Sequence, residues 1–390
     1  MRSPPAIIRG ILLRGVQLVR AQPFRFEVLA RDGAARAGIL YTPHGPVRTP
    51  CFAPVATNAA VRGVTGWDLR SLGADLLLAN TFHLYLRPGP ELIQQAGGLH
   101  AFMGWSGPLL TDSGGFQVLS LAHLRRVTDR GVVFRSPIDG SLHELTPERV
   151  VEIQEALGSD IITPLDVCSG YPLDEDQARE ALCRTMRWLE RALAARRRPD
   201  QALFGILQGG FSPALRAQAA AHAVRLNLPG YAIGGLSVGE PLSLTYELLE
   251  YTVRYLPEDR PRYLMGVGSP PGIVEAIARG VDLFDCVLPT RVGRTGVVFT
   301  REGRLNLRNS PFRTDFRPLD PECACRVCQQ HTRAYVRHLF KAGELLGPIL
   351  ATYHNVAFLL RWVEEAREAI LQGTFAAWRD RVLARYATRW

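Results

Sequence analysis

Three apolar runs in this chain end at or near an aspartate: Asp112 in PLLTDSGG, Asp166 in SDIITPLD and Asp285 in VDLFDCVLP. Carboxylates spaced around one pocket suit glycosyl chemistry. One can attack an anomeric carbon while another handles a proton, and the negative charge steadies an oxocarbenium-like transition state. An ionised carboxylate also accepts hydrogen bonds from a ring N–H and an adjacent exocyclic amine, the donor pattern of a guanine-type edge. Gly pairs after Gln208 and after Ile233 let backbone amides come close to a flat ligand, and Phe116, directly after DSGG, could stack on its ring. Asp282 lies close to Asp285, and spacing alone does not choose between them as nucleophile. An isolated DSGG is usually only a tight turn, so the recurrence of such run ends carries the reading.

A second group of reactive residues is Cys323, Cys325 and Cys328, a C-x-C-x2-C cluster that holds three of the seven cysteines. Thiolates this close can wrap one Zn2+, whereas a disulfide among them would be strained. A closed tetrahedral site needs a fourth ligand, and on spacing His331, His338 and His354 are all open. Four protein ligands leave no position for water, so such a site is structural. The competing reading is a redox-active thiol pair. Cys51, Cys183 and Cys286 read as buried, inert thiols.

These residues need elements to position them. ADLLLANT, PLLTDSGG, SDIITPLD, ALFGILQGG, YAIGGLS, RYLMGVG and VDLFDCVLP are short runs, apolar on both faces, that end in Gly, Asp or Asn and alternate with helical stretches. One such stretch, DEDQAREALCRTMRWLERALAARRR, places acids in its first turn and arginines in its last, with Pro199 as the stop. Doubly buried strands alternating with helices predict a parallel sheet with right-handed crossovers. Seven or eight units favour a closed (β/α)8 TIM barrel over an open sheet. Asn80, Asp112, Asp166, Gln208, Gly234–Gly235 and Asp285 would then converge on the mouth formed by the strands' C-terminal ends.

The formal charge is +9, and Lys341 is the only lysine, so the cations are almost all guanidinium groups that bind phosphate bidentately. A polyanionic partner fits, although an arginine-rich composition also follows from genome base content. No apolar run is long enough to cross a membrane. The first 22 residues are signal-like, but Arg9 and Arg14 interrupt them, and they read as a flexible extension or the product of an upstream start codon. The protein is expected to be cytoplasmic.

LLLANTFHLYLRPG, LLTDSGGFQVLSL, FRSPIDGS, LGSDIITPLDVC, GILQGG, YAIGGLSVGEP, RYLMGVGSPPGIVEAIARGVDLFDCVLPTR and the Cys/His cluster together resemble the bacterial tRNA-guanine transglycosylases, in order, from about Phe26 to the C-terminus. The resemblance implies a barrel enzyme that exchanges the wobble guanine in a tRNA anticodon loop for 7-aminomethyl-7-deazaguanine, a step toward queuosine, without cutting the RNA. It implies Asp285 as the nucleophile toward ribose and Asp112 as the general acid/base. Ser113, Gly114, Gly115, Asp166, Cys168, Gln208, Gly235 and Leu236 would hold the base, with Phe116 and Met265 sandwiching its ring. Gly266, Val267, Gly268, Ser269, Pro270, Pro271 and Gly272, then Thr290, Arg291, Val292, Gly293 and Arg294, would touch the RNA. The YHN around His354 matches the family's fourth zinc ligand. A homodimer, to which the zinc subdomain contributes, is also implied.

This chain departs from the family in TRVGRTG, where Ala-Arg-Asn-Gly usually follows the Thr-Arg pair. Cys168 and Val238 match the bacterial form, which takes a compact base rather than queuine. The expected organisation is an extension over residues 1–22, the barrel over 23–295, a zinc subdomain over 296–359 and C-terminal helices over 360–390. Two other classes compete. A silent RNA-binding subunit should lack the nucleophile, yet Asp112 and Asp285 are both present. A zinc hydrolase needs paired strand-end ligands, and only His83 offers one.

Overall fold

The computed structural model describes residues 24–120 and 125–386, so the extension expected over residues 1–22 lies outside the described residues. Eight parallel strands close into one barrel: β1 (Cys51–Ala56), β2 (Leu77–Ala79), β3 (Leu109–Thr111), β4 (Ile161–Ile162), β5 (Ala202–Leu207), β6 (Gly230–Ile233), β7 (Arg262–Leu264) and β8 (Leu283–Cys286). β8 pairs with β1 and β3 with β4, which completes the ring. Alternate residues fill its interior, among them Ala53, Val55, Leu78, Leu110, Ile161, Phe204, Ile206, Ala232 and Leu283, while Phe52, Leu77, Leu203 and Leu207 face the surrounding helices.

Six of these strands fall within the predicted runs, and β6 starts one residue before its run, at Gly230. The eighth, β1, is buried along its whole length yet carries Pro54, a residue that argues against a central strand, and it ends on no polar side chain. The segment before it forms an antiparallel sheet of Arg25–Asp32, Ala35–Thr42 and Gly45–Thr49, whose Leu40 and Val47 join the interior cluster. A second antiparallel sheet (Arg125–Val127, Val132–Arg135, Leu142–Leu145) is inserted between β3 and β4.

The helix expected after Leu173 spans Glu175–Ala195, capped by the Asp174 side chain on the Gln177 amide. It ends before the arginine run, because Arg196 is already extended; the Arg198 guanidinium instead clasps Asp200. The expected arginine-rich last turn is therefore absent from this helix.

After the barrel come a hairpin (Val297–Thr300, Gly303–Asn306), the short helices Arg326–Gln330 and Arg333–Ala342, and the 26-residue helix Leu346–Leu371. This last helix runs through the 359/360 boundary, so zinc subdomain and C-terminal region share one element. Asn355 on it ties the parts together: its Oδ1 accepts from the Phe299 amide at 2.9 Å, and its Nδ2 donates to the carbonyls of Pro289 and Val297 at 3.0 and 2.9 Å. Among the described residues no helix is long and apolar enough to cross a membrane.

Candidate active site and metal centre

Asp112 directly follows β3. Its Oδ2 accepts from Asn80 Nδ2 at 2.6 Å and Gln117 Nε2 at 2.9 Å, and its Oδ1 accepts from the Thr81 amide at 2.8 Å. Burial raises its pKa above the ordinary carboxylate range, against the pull of these donors. Asp166, in the loop after β4, accepts from Gln208 Nε2 at 2.7 Å and from Ser113 Oγ at 3.4 Å. Burial, with the Asp112 charge adding to it, pushes Asp166 up to about 6.

Asp285 lies within β8. Its Oδ1 accepts both the Tyr263 hydroxyl at 2.6 Å and the Gly266 amide at 2.8 Å, while Oδ2 has no hydrogen-bond partner among the described residues. Burial raises its pKa, and the charge of Asp112 raises it further. Asp112 thus acts electrostatically on both Asp166 and Asp285, and all three carboxylates stand at the C-terminal ends of the barrel strands. Burial and the neighbouring Asp285 hold the Tyr263 phenol well above its usual range, so it stays a neutral donor.

The base-reading loops have a backbone reason for their glycines. Gly235 has φ +65°, and a Cβ there would lie 2.3 Å from Gln208 Oε1. Behind these loops stands Arg216, fully buried, donating to the carbonyls of Gly210 at 2.9 Å, Gly234 at 3.3 Å and Gly235 at 3.1 Å. Sequence reasoning missed Arg216, Tyr263 and Gln117. The available signals were an arginine inside an Ala-rich helix, a tyrosine on a strand beside that of Asp285, and an amide two residues past DSGG. Leu236 and Gly235 are buried, Cys168 and Met265 are half-buried, and Phe116 stands 60% exposed at the rim.

On the far side of the hairpin, Cys323, Cys325, Cys328 and His354 bring their ligand atoms within 4.8 Å of one another. The His354 Nδ1 stands 3.3 Å from the Cys328 sulfur and 3.5 Å from that of Cys325. Tetrahedral bonds of about 2.3 Å to sulfur and about 2.0 Å to nitrogen place S and N about 3.5 Å apart, so the cluster fits one Zn2+. His354 Nε2 faces the Phe299 carbonyl at 2.7 Å, which fixes the tautomer and leaves Nδ1 for the metal. Hydrogen bonds from the Cys323 and Cys328 thiols hold Cys325 below the ordinary thiol range, which favours a thiolate in this cluster. Of the three histidines open on spacing, His354 is the one in this cluster. Of the three cysteines expected to be buried, only Cys51 is; Cys183, within the helix Glu175–Ala195, and Cys286, at the end of β8, are half-buried, although burial still pushes Cys286 up to about 11.

Residues 32–388 match the family model of queuine tRNA-ribosyltransferase. The queuine tRNA-ribosyltransferase of Pelotomaculum thermopropionicum is 55% identical over 93% of this chain and 98% of its own. That of a Thermus thermophilus strain is 56% identical over 90% of this chain and 92% of its own. The chain belongs to the queuine tRNA-ribosyltransferase family. Membership makes it an enzyme of the glycosyltransferase class.

Within this ribosyltransferase frame the two neighbouring aspartates separate. Asp282 precedes β8 and is fully buried: Arg36 Nε donates to its Oδ1 at 2.9 Å, and the Arg262 amide donates to its Oδ2 at 2.7 Å. It ties the N-terminal sheet to the barrel. Asp282→Ala should therefore cost about 3–5 kcal/mol of stability by stranding the Arg36 charge, measured by denaturant melts, while base exchange by the folded fraction persists.

The residues expected to touch RNA are not equally accessible. Gly266 and Arg291 are exposed, and Ser269, Pro271, Val292 and Arg294 are half-buried. Val267, Gly268, Pro270, Gly272, Thr290 and Gly293 are buried, so their first duty is packing. A Cβ on Gly268 would lie 2.3 Å from the Cys286 Cβ, and one on Gly293 would lie 2.8 Å from the Thr352 Cα. In this chain the helix Leu288–Arg294 crosses Leu346–Leu371 at backbone contact, which the glycine at 293 permits.

Proposed function

We propose that this protein is a tRNA-guanine transglycosylase that replaces the wobble guanine of an anticodon with 7-aminomethyl-7-deazaguanine through a covalent Asp285–ribose intermediate. The observation that carries the reading is the Asp285 carboxylate, tethered through Oδ1 alone, beside the raised carboxyl of Asp112. Tyr263 and Gly266 orient the group and leave Oδ2 for attack on C1′. As that bond forms, the C1′–N9 bond to guanine breaks, and a proton held by Asp112 passes to the departing base nitrogen. The incoming base returns a proton to Asp112 and displaces Asp285 from C1′. Family relationship to named queuine tRNA-ribosyltransferases supports the same substrate class.

Asp166 and Gln208 read the guanine edge in this scheme, with Ser113, Gly114, Gly115, Gly235 and Leu236 bordering it and Phe116 and Met265 on either face of the ring. Cys168 and Val238 leave room for the compact aminomethyl base. The exposed wobble base of an anticodon loop reaches such a pocket at modest unstacking cost. A homodimer, with the zinc subdomain contributing to its surface, belongs to the same proposal and is tested by light scattering.

The deciding experiment is incorporation of radiolabelled guanine into tRNA, competed by 7-aminomethyl-7-deazaguanine; no incorporation would overturn the proposal. The pH dependence has a sign. Reading the guanine edge requires ionised Asp166, and burial has raised this group to about 6. KM for free guanine should be flat above neutral pH and rise about tenfold per pH unit below about 6, with Asp166→Asn losing that limb.

A further inference from the structure

Arg216 lies near the start of the helix Pro213–Arg225, against the loops that follow β5 and β6. Gly209 lets the first of these loops close on it: its φ is +134°, and a Cβ there would lie 2.8 Å from the Arg216 nitrogen. Among the described residues the guanidinium donates to backbone carbonyls alone. Nε bonds Gly210, both terminal nitrogens reach Gly234 at 3.3 Å, and Nη2 bonds Gly235. Burial pulls its pKa down to about 10, against the charges of Glu240 and Cys168, so it remains a cation at neutral pH. A buried guanidinium with no carboxylate on it is a costly way to satisfy three carbonyls. That cost calls for a return.

The return is in the direction of two amides. Gly234–Gly235 and Gly235–Leu236 are trans peptides, because the cis bonds among the described residues all precede proline. In a trans peptide the C=O and the N–H point opposite ways. With both carbonyls turned to Arg216, the amides of Gly235 and Leu236 are turned away from it. The Gly235 amide reaches Cys168: burial pushes that thiol up to about 12 and Asp166 adds to the rise, while the Gly235 amide and the Arg216 charge oppose it. A Cβ on Gly234 would lie 2.7 Å from Gln208 Nε2, the atom that donates to Asp166 at 2.7 Å. The strip held by Arg216 therefore borders the Gln208–Asp166 pair. A guanine that gives its ring N–H and amine to Asp166 carries a carbonyl oxygen next along the same edge, and that oxygen needs a donor. A guanidinium on the carbonyl of a peptide polarises it and strengthens its N–H as such a donor.

We propose that Arg216 is a positioning residue for base recognition: by holding the carbonyls of Gly234 and Gly235 it aims the Gly235 amide at the ring carbonyl oxygen of bound guanine. This rests on the base-exchange reading above and adds to it the means of selecting a base that bears that oxygen. Arg216 touches no substrate itself. Its effect passes through the peptides it holds.

The test compares guanine with 2-aminopurine, which lacks the carbonyl oxygen, in exchange of radiolabelled guanine into tRNA. KM is measured for guanine and the inhibition constant for 2-aminopurine. Arg216→Met, similar in length but without charge or donors, should raise KM for guanine about tenfold and leave the 2-aminopurine constant unchanged. The preference for guanine then shrinks about tenfold. A loop that had merely collapsed would weaken both bases alike, so an equal rise in the two constants would overturn the proposal, as would an unchanged KM. Where Arg216→Met fails to fold, Arg216→Lys decides: a single ammonium cannot span the same carbonyls, and the preference should fall severalfold. A wild-type preference in Arg216→Lys would then overturn the proposal while exchange by the wild type leaves the enzymatic reading standing. No exchange by the wild type would overturn both.

Discussion

Asp285→Ala will form no enzyme–RNA adduct on a denaturing gel, and its guanine exchange will fall by on the order of 10^4-fold. The size of the effect follows from exchange chemistry. Replacing one base by another at the same C1′ requires a species that survives after the first base has left, and a covalent ester with ribose is such a species. Without the carboxylate there is neither nucleophile nor adjacent negative charge. Persistence of the adduct in Asp285→Ala would remove this residue from its role. Tyr263→Phe should behave differently. The hydroxyl at 2.6 Å orients the attacking group and lowers its pKa, so its loss should slow adduct formation by about tenfold or more without abolishing it. The sign of the pH effect is fixed by the same bond. Attack needs ionised Asp285, activity is lost as pH falls through its pKa, and removing a donor that lowers that pKa moves the acid limb to higher pH. Asp282→Ala completes the contrast, since it loses stability and keeps the adduct.

Much of this site is legible in the chain alone. Doubly apolar runs ending on polar residues are a direct consequence of strands buried on both faces whose only open end is the mouth, so position along the runs is enough to find Asn80, Asp112, Gln208 and Asp285. What escapes are residues whose role depends on a partner far away in the chain. Tyr263 has the sequence signature of an ordinary core aromatic until β8 sets Asp285 beside it. Arg216 reads as a surface cation of an amphipathic helix, yet three loop carbonyls remove it from water. The same blindness applies to β1, where Pro54 outweighs an otherwise apolar run, and to the helix end at Ala195, where a run of arginines reads as a last turn but forms the loop beyond. The choice between Asp282 and Asp285 is the sharpest case. Three residues along a strand separate one end of a barrel from the other, and spacing along the chain carries no information on which end faces Arg36.

The second large effect should come from the metal centre. His354→Ala should reduce bound zinc from one per chain to none by elemental analysis, and should bring an early melting transition that the wild type lacks. His354 is fully buried and has two jobs: Nδ1 faces the thiol cluster, and Nε2 bonds the Phe299 carbonyl on the hairpin. It lies one residue before Asn355, whose amide fastens that same hairpin and the helix Leu288–Arg294. Metal affinity at closed thiolate sites is folding free energy, on the order of 10 kcal/mol for small zinc modules, so its loss should loosen the cysteine loop first. The consequence should reach RNA before it reaches the base. The acid pocket is built on barrel strands and should keep its affinity for free guanine. The arginines of Leu288–Arg294 depend on contact with Leu346–Leu371, and their hold on an anticodon stem–loop should weaken. His354→Cys separates the two jobs, because a fourth thiolate can retain zinc while the tether to Phe299 is lost. Full zinc content with unchanged melting in His354→Ala would contradict the structural role, and equal loss of guanine and RNA binding would show that barrel and subdomain are not separable in this way.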